Sequence, residues 1–221
     1  MIPIPIRGLV FDMDGVIVDS HPAHRDAWRQ FLESVGRKAS DDELDFILDG
    51  RKREEILRHF LGDLSEEQIR DYGNHKDEML RRLGNGTRPV AGVLAFLNSL
   101  RPAGLRVALA TSAGRTRTLG TLADLSLTDC FDAIVTGDEV PAGKPDPLIY
   151  RLAAERIREE PAQLLAIEDA VSGVKAAKSA GLRCMGIATA QRAQQLLEAG
   201  AELVVPHFLT VSVGDLRGRS H

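Results

Sequence analysis

Cysteine is scarce in this sequence. Its 221 residues include two, Cys130 and Cys184, and neither sits in a Cys-x-x-Cys pair or any other metal-ligand spacing. A framework of several disulfides and a thiolate metal site are excluded, and buried thiols in a reducing compartment are expected. A basic excess is also missing, since 28 Lys and Arg against 32 Asp and Glu leave a formal charge of −4. A nucleic-acid surface normally shows a basic stripe, so no such partner is expected. No apolar stretch approaches the roughly 18 residues of a membrane span, and no basic segment leads into an apolar one at the start. The chain is therefore expected to be cytoplasmic, without a membrane partner, and a monomer or weak homodimer. His21, His59, His75, His207 and His221 show no ligand spacing, and internal repeats and low-complexity segments are absent.

What is present is a rhythm. Short apolar runs at 8–11, 106–110, 133–135, 164–167, 184–187 and 203–205 alternate with helical patterns such as 147–158 and 172–180. That alternation predicts an α/β fold, a Rossmann-like parallel sheet core with helices on both faces. One interval breaks it. Between Phe11 and Val107 only helical patterns occur, with capping boxes at Ser40-x-x-Glu43 and Ser65-x-x-Gln68. A crossover between parallel strands needs about a dozen residues, so the interval reads as an inserted α-helical cap. The boundaries expected are core 1–19, helical cap 20–85 and core 86–221, with hinges near Asp19-Ser20 and Gly84-Asn85-Gly86.

In such a sheet, ligands bind beyond the carboxyl ends of the strands. The residues following the strands are Asp12-Met13-Asp14-Gly15, Thr111-Ser112, the Gly143-Lys144-Pro145 loop, and Glu168-Asp169. Clustered carboxylates with little soft ligation favour Mg²⁺. Lys144 and the Thr111 hydroxyl can hold phosphoryl oxygens. Asp12 is placed to attack phosphorus and form an aspartyl-phosphate, and Asp14 to serve as general acid and then base. An EF-hand loop starting at Asp12 fails, because its sixth and twelfth positions are Ile17 and Ala23 where Gly and Glu are required. A plain surface turn explains Asp-x-Asp-Gly alone but not the other three loops.

Phe11-Asp12-Met13-Asp14-Gly15-Val16, Thr111-Ser112, Gly143-Lys144-Pro145-Asp146-Pro147 and Ile167-Glu168-Asp169-x-x-x-Gly173 resemble the four ordered motifs of the haloacid dehalogenase-like superfamily. The helical insert resembles the small cap of the branch holding β-phosphoglucomutase and many sugar-phosphate phosphatases. The resemblance implies Asp12 as nucleophile and Asp14 as acid/base. It implies Mg²⁺ at Asp12, the Asp14 carbonyl and Asp169 with Glu168 close by, and Thr111, Ser112 and Lys144 as phosphate-binding. It also implies substrate roles for His24, Trp28, Gly50, Arg53 and Lys76 in the cap. For Trp28 a place in the cap core competes with that role, and for Arg53 a solvated helix face does.

The chain departs from the mutase pattern at Ala113 and Gly114, where a hydroxyl and a lysine are lost, and at Asp49, where the mutase has a lysine. Arg115 is a candidate to compensate. A mutase holds a bisphosphorylated intermediate in two orientations, so lost cations harm it more than a phosphatase. The expected activity is Mg²⁺-dependent hydrolysis of a small phosphorylated metabolite, with a sugar phosphate foremost. A hexose-phosphate mutase is the alternative, and a non-catalytic binding protein on the same fold the third reading.

Overall fold

The computed structural model describes residues 5–47, 49–83 and 88–216. Six strands form one sheet in the order β3-β2-β1-β4-β5-β6, every pair parallel. They are β1 (Gly8–Phe11), β2 (Arg106–Ala110), β3 (Ala133–Val135), β4 (Leu164–Glu168), β5 (Arg183–Ile187) and β6 (Leu203–Val205). The apolar runs are continuous because both sheet faces are covered. In β1 all four residues are buried. Leu9 and Phe11 enter a cluster with Phe96, Leu100 and Leu122, from α5 (Val93–Leu100) and α6 (Arg115–Asp124). Val10 enters the opposite cluster with Tyr150, Val174 and Leu196, from α7 (Leu148–Ile157), α8 (Val171–Ser179) and α9 (Ala190–Ala199). The short α10 (Val213–Leu216) follows β6.

Strand order reverses at β1, with β2 on one side and β4 on the other. Such a switch point opens a crevice at the carboxyl end of the strand, and that is where Asp12 lies.

Among the described residues, four helices fill the interval between β1 and α5: α1 (His21–Ser34), α2 (Asp41–Ile47), α3 (Arg53–Leu61) and α4 (Glu66–Arg82). Both capping boxes expected from the sequence form. Ser40 and Glu43 exchange side-chain and backbone bonds, as do Ser65 and Gln68, satisfying amide groups the first helical turns leave without partners. The helices enclose a separate apolar cluster that includes Trp28, Phe31, Leu44, Leu57 and Phe60. Each such side chain contributes roughly 1.5–3 kcal/mol on burial, so the helices have a core of their own. Outgoing and returning chain run side by side, with a bridge between Val18 and Pro89 and a 2.8 Å bond from the Asp19 amide to the Arg88 carbonyl. The expected return hinge at Gly84-Asn85-Gly86 lies outside the described residues.

Candidate active site

Asp12 continues β1 by one residue, its amide bonded to the Ile167 carbonyl at 3.0 Å. The chain then turns back, with Ile17 and Val18 donating to the Met13 carbonyl at 2.8 and 3.0 Å. Gly15 makes this possible twice over. Its φ of +75° is in the region glycine favours, and a Cβ there would overlap the Asp169 carboxylate. Gly173 on α8 likewise leaves space that the Glu168 carboxylate occupies. Gly15 lets the first and fourth sequence motifs approach to contact distance, and Gly173 gives Glu168 room within the fourth.

Lys144 is buried at 1% exposure and reaches across the sheet edge. Its Nζ donates to Asp12 Oδ1 at 2.7 Å, Glu168 Oε1 at 2.5 Å and the Ala110 carbonyl at 3.1 Å. Glu168 also accepts from the Tyr150 hydroxyl at 2.5 Å and from the amides of Asp169 and Ala170. Oxygens of Asp12, Glu168 and Asp169 all lie within 4.8 Å of one another. Three buried carboxylates thus face one buried ammonium. Burial, opposed by Lys144 and reinforced by Glu168, Asp169 and Asp14, pushes Asp12 up to about 8. Burial alone would lower Lys144, but Asp12 and Glu168 outweigh it and hold the ammonium charged. The balance is a deficit of positive charge, which suits a divalent cation with oxygen ligands. Four donors already engage Glu168, so Asp12 and Asp169 have the more available oxygens. Thr111 is buried beside them, its hydroxyl accepting from the Ala113 amide at 3.1 Å.

Across a cavity of about 720 Å³ from this cluster stand the cap residues. His24, Trp28, Gly50, Arg53 and Lys76 all line it, with Asp12, Asp14, Thr111 and Ser112 on the core side. Trp28 is both lining and cap core. Arg53 pairs with Asp77 at 2.8 Å, and Lys76 pairs with the same carboxylate at 3.2 Å while lying 5.4 Å from the Trp28 ring centre. Lys76 Nζ is 3.3 Å from His24 Nδ1. Arg117 stands 3.2 Å from Nε2 on the other side of the ring, and since Lys76 and Arg117 can only donate, a neutral His24 accepts from one of them; Nε2 is also 3.5 Å from Asp14 Oδ1. Burial and then the Lys76 charge push His24 down to about 4, so the ring is neutral. The cap rests on the core through its 49–52 loop. Ser112 Oγ donates to the Gly50 carbonyl at 2.6 Å, Lys52 to the Val140 carbonyl at 2.6 Å, and Ser172 to Asp49 through both amide and hydroxyl. Ser112, expected at the phosphate, is engaged here with the cap backbone.

Residues 6–181 match the haloacid dehalogenase-like hydrolase family, a span that includes the Asp12 turn, the cap and all four motifs. The chain belongs to the haloacid dehalogenase-like hydrolases. A phosphorylated carbohydrates phosphatase of Thermotoga maritima is 35% identical over 214 residues, which cover 90% of this chain and 94% of the relative. The β-phosphoglucomutase of Bacillus subtilis is 31% identical over 209 residues, 90% of this chain and 89% of that one. Among solved structures, CbbY from Rhodobacter sphaeroides in complex with xylulose-(1,5)bisphosphate superposes with a TM-score of 0.78 at 27% identity, covering 94% of this chain and 96% of that one.

Two residues of this haloacid dehalogenase-like hydrolase escaped the sequence reading. His21 Nε2 lies 3.0 Å from Asp169 Oδ2; burial lowers it, but Asp169 outweighs that and raises its affinity for a proton. Arg117, from the first turn of α6, reaches Asp14 with both guanidinium nitrogens, one at 3.0 Å. Burial would raise Asp14, yet Arg117 and His24 hold it well below the usual carboxylate range.

Lys76 illustrates the cost of the cap's charged lining. Burial lowers it from 10.5 to about 8, with Asp77 opposing. A lysine depressed on folding destabilises fully below its folded value, and the cost fades as pH rises toward the unfolded value. Lys76→Met keeps the apolar stem over Trp28 and leaves Asp77 paired with Arg53. It is expected to stabilise the protein by about 1–2 kcal/mol near neutral pH, with the gain shrinking toward about pH 10. Thermal unfolding at the two pH values checks this. A gain independent of pH would assign the effect to packing instead of charge.

Proposed function

We propose that the protein is a phosphatase that removes the phosphoryl group from a small phosphorylated metabolite, in the class of sugar phosphates, through an aspartyl-phosphate on Asp12. The observation that carries this reading is the placement of Asp12 at the switch point, held by Lys144 and facing the cavity with Asp14 two residues on. An Asp12 oxygen attacks phosphorus as the ester P–O bond breaks, and Asp14 gives a proton to the departing alkoxide. Asp14 then takes a proton from water as it attacks the aspartyl-phosphate, releasing phosphate and restoring Asp12. Lys144 and Thr111 hold phosphoryl oxygens while charge shifts.

Asp12, Asp169 and the Asp14 carbonyl are the proposed ligands of Mg²⁺, with Glu168 behind them orienting Lys144. When bound, the cation offsets the charge deficit and the repulsion between carboxylate and phosphate. The cap, proposed as residues 20–85, excludes bulk water and contributes His24, Trp28, Gly50, Arg53 and Lys76 to substrate recognition. Similarity to phosphatases of phosphorylated carbohydrates supports the substrate class. The second reading, a hexose-phosphate mutase, has the support of the similarity to β-phosphoglucomutase and of a cavity with room for a sugar acceptor beside Asp14.

The test is a panel of sugar and short-chain phosphates, with free phosphate and sugar isomer followed in one reaction. Phosphate release is expected with Mg²⁺, complete loss after chelation, recovery on adding Mg²⁺ and none on adding Ca²⁺, whose longer bonds and larger ligand number distort in-line attack. Isomer formation without phosphate release would favour the mutase. Full activity after exhaustive chelation would remove the cation from the scheme.

A further inference from the structure

Arg117 is not needed for the chemistry just described, and as placed it opposes it. Its guanidinium engages both oxygens of Asp14, a fork-to-fork pairing among the stronger hydrogen-bonded contacts available to a carboxylate. Ser20 Oγ adds a 2.6 Å bond to Oδ1 of the same group. An acid/base carboxylate so occupied has little capacity left for a substrate oxygen. Asp14 must leave the guanidinium to serve a leaving group.

Charge counting around the cavity shows what that departure requires. Arg53 and Lys76 share one partner, Asp77, and Arg117 relies on Asp14. Its other neighbour at this distance is His24 Nε2 at 3.2 Å, on a ring that Lys76 also approaches. With Asp14 turned away, Arg117 is left in the wall of the cavity with Lys76 nearby, its direct ion pair broken and only the weaker pull of Asp77 and Asp12 in exchange. A partly desolvated cation left unpaired costs far more than a paired one. An anionic group on the substrate itself removes that cost. Ala113 and Gly114, small residues that line the cavity one turn before Arg117, leave room for it.

We propose that Arg117 is a specificity-determining residue: it holds Asp14 in the empty site and releases it to a second anionic group, carboxylate or phosphate, on the leaving part of the substrate. The proposal rests on the phosphatase reading above. It makes the enzyme selective for metabolites that carry a negative charge besides the scissile phosphate, and slow on neutral alcohol phosphates, whose hydroxyls cannot displace a carboxylate from a guanidinium.

Matched substrate pairs test it. Phosphoglycerate against glycerol phosphate adds a carboxylate at nearly constant size, and fructose bisphosphate against a fructose monophosphate adds a phosphate. The wild type is expected to favour the more anionic member of at least one pair by about tenfold or more in kcat/KM, the size of one charged hydrogen-bonding pair; which pair responds identifies the anion. Arg117→Gln should reduce the ratio to within about twofold. It should do so through a higher KM for the anionic member and a higher kcat for the neutral one, because Asp14 is no longer held. Arg117→Lys, which keeps the charge without the fork, should give an intermediate ratio, and it replaces the glutamine variant if circular dichroism shows that variant unfolded. Phosphate release without preference for either anion in the wild type, or equal losses on both members in the variants, overturns the role of Arg117 alone. No release from any substrate overturns the phosphatase reading, and this inference with it.

Discussion

Asp12→Asn is expected to lower phosphate release below about 1% of the wild-type rate, because an amide cannot attack phosphorus and the loss of covalent catalysis costs orders of magnitude. The same change should leave the fold intact. The introduced amide would keep the shape of the side chain, and Lys144 would retain Glu168 and the Ala110 carbonyl as partners. Removing one of three mutually repelling carboxylates relieves repulsion, so the melting temperature should be no lower than that of the wild type. The two readouts separate chemistry from stability. Retention of more than about 1% of the rate in a folded variant would sink the assignment of Asp12 as nucleophile.

Lys144→Met should damage both. The side chain is 1% exposed and supplies the buried positive charge between Asp12 and Glu168. Methionine is of similar length, so the loss is electrostatic: two buried carboxylates would remain without their cation. Breaking such a buried pair costs about 3–5 kcal/mol, measurable by urea unfolding. Activity should fall at least about a hundredfold through the lost hold on the phosphoryl group. Mg²⁺ in the unfolding assay should recover part of the stability, since a ligand that binds only the folded carboxylates shifts the equilibrium toward them. A variant as stable as the wild type would show that Lys144 does not neutralise these groups in the native state.

Much of the fold was legible because the sheet is covered on both faces at its centre, which turns the strands there into apolar runs bounded by polar residues. Gly8 to Phe11 and Leu164 to Ile167 are of this kind, and both fall within observed strands. The residues after the strands were legible for the same reason, since strand ends converge on one edge by topology alone. Arg117 and His21 were not. Arg117 contacts Asp14 across 103 positions, and within Arg115-Thr116-Arg117 it reads as one more charge on a helix face. His21 meets Asp169 only because Gly15 lets the chain fold back. Ser112 marks a different limit. Its place after β2 was correctly read, but its hydroxyl bonds to the Gly50 carbonyl, and a descending cap loop has no signature in the residues around Ser112. Pairwise contacts between distant segments depend on how two bodies sit together, which local pattern does not encode.

The side-by-side threads at Val18 and Pro89 also bear on how the chain reaches its native state. β1 must find β2 across the whole insert and α5, a separation that on its own predicts slow assembly. If the four helices collapse first around their own apolar cluster, the ends of that unit emerge next to each other. The search then shrinks to closing a short loop, and because closure entropy grows only with the logarithm of length, the sheet becomes nearly indifferent to the size of what lies between its first two strands. The core can therefore tolerate a longer, shorter or remodelled insert with little change in the rate at which it forms.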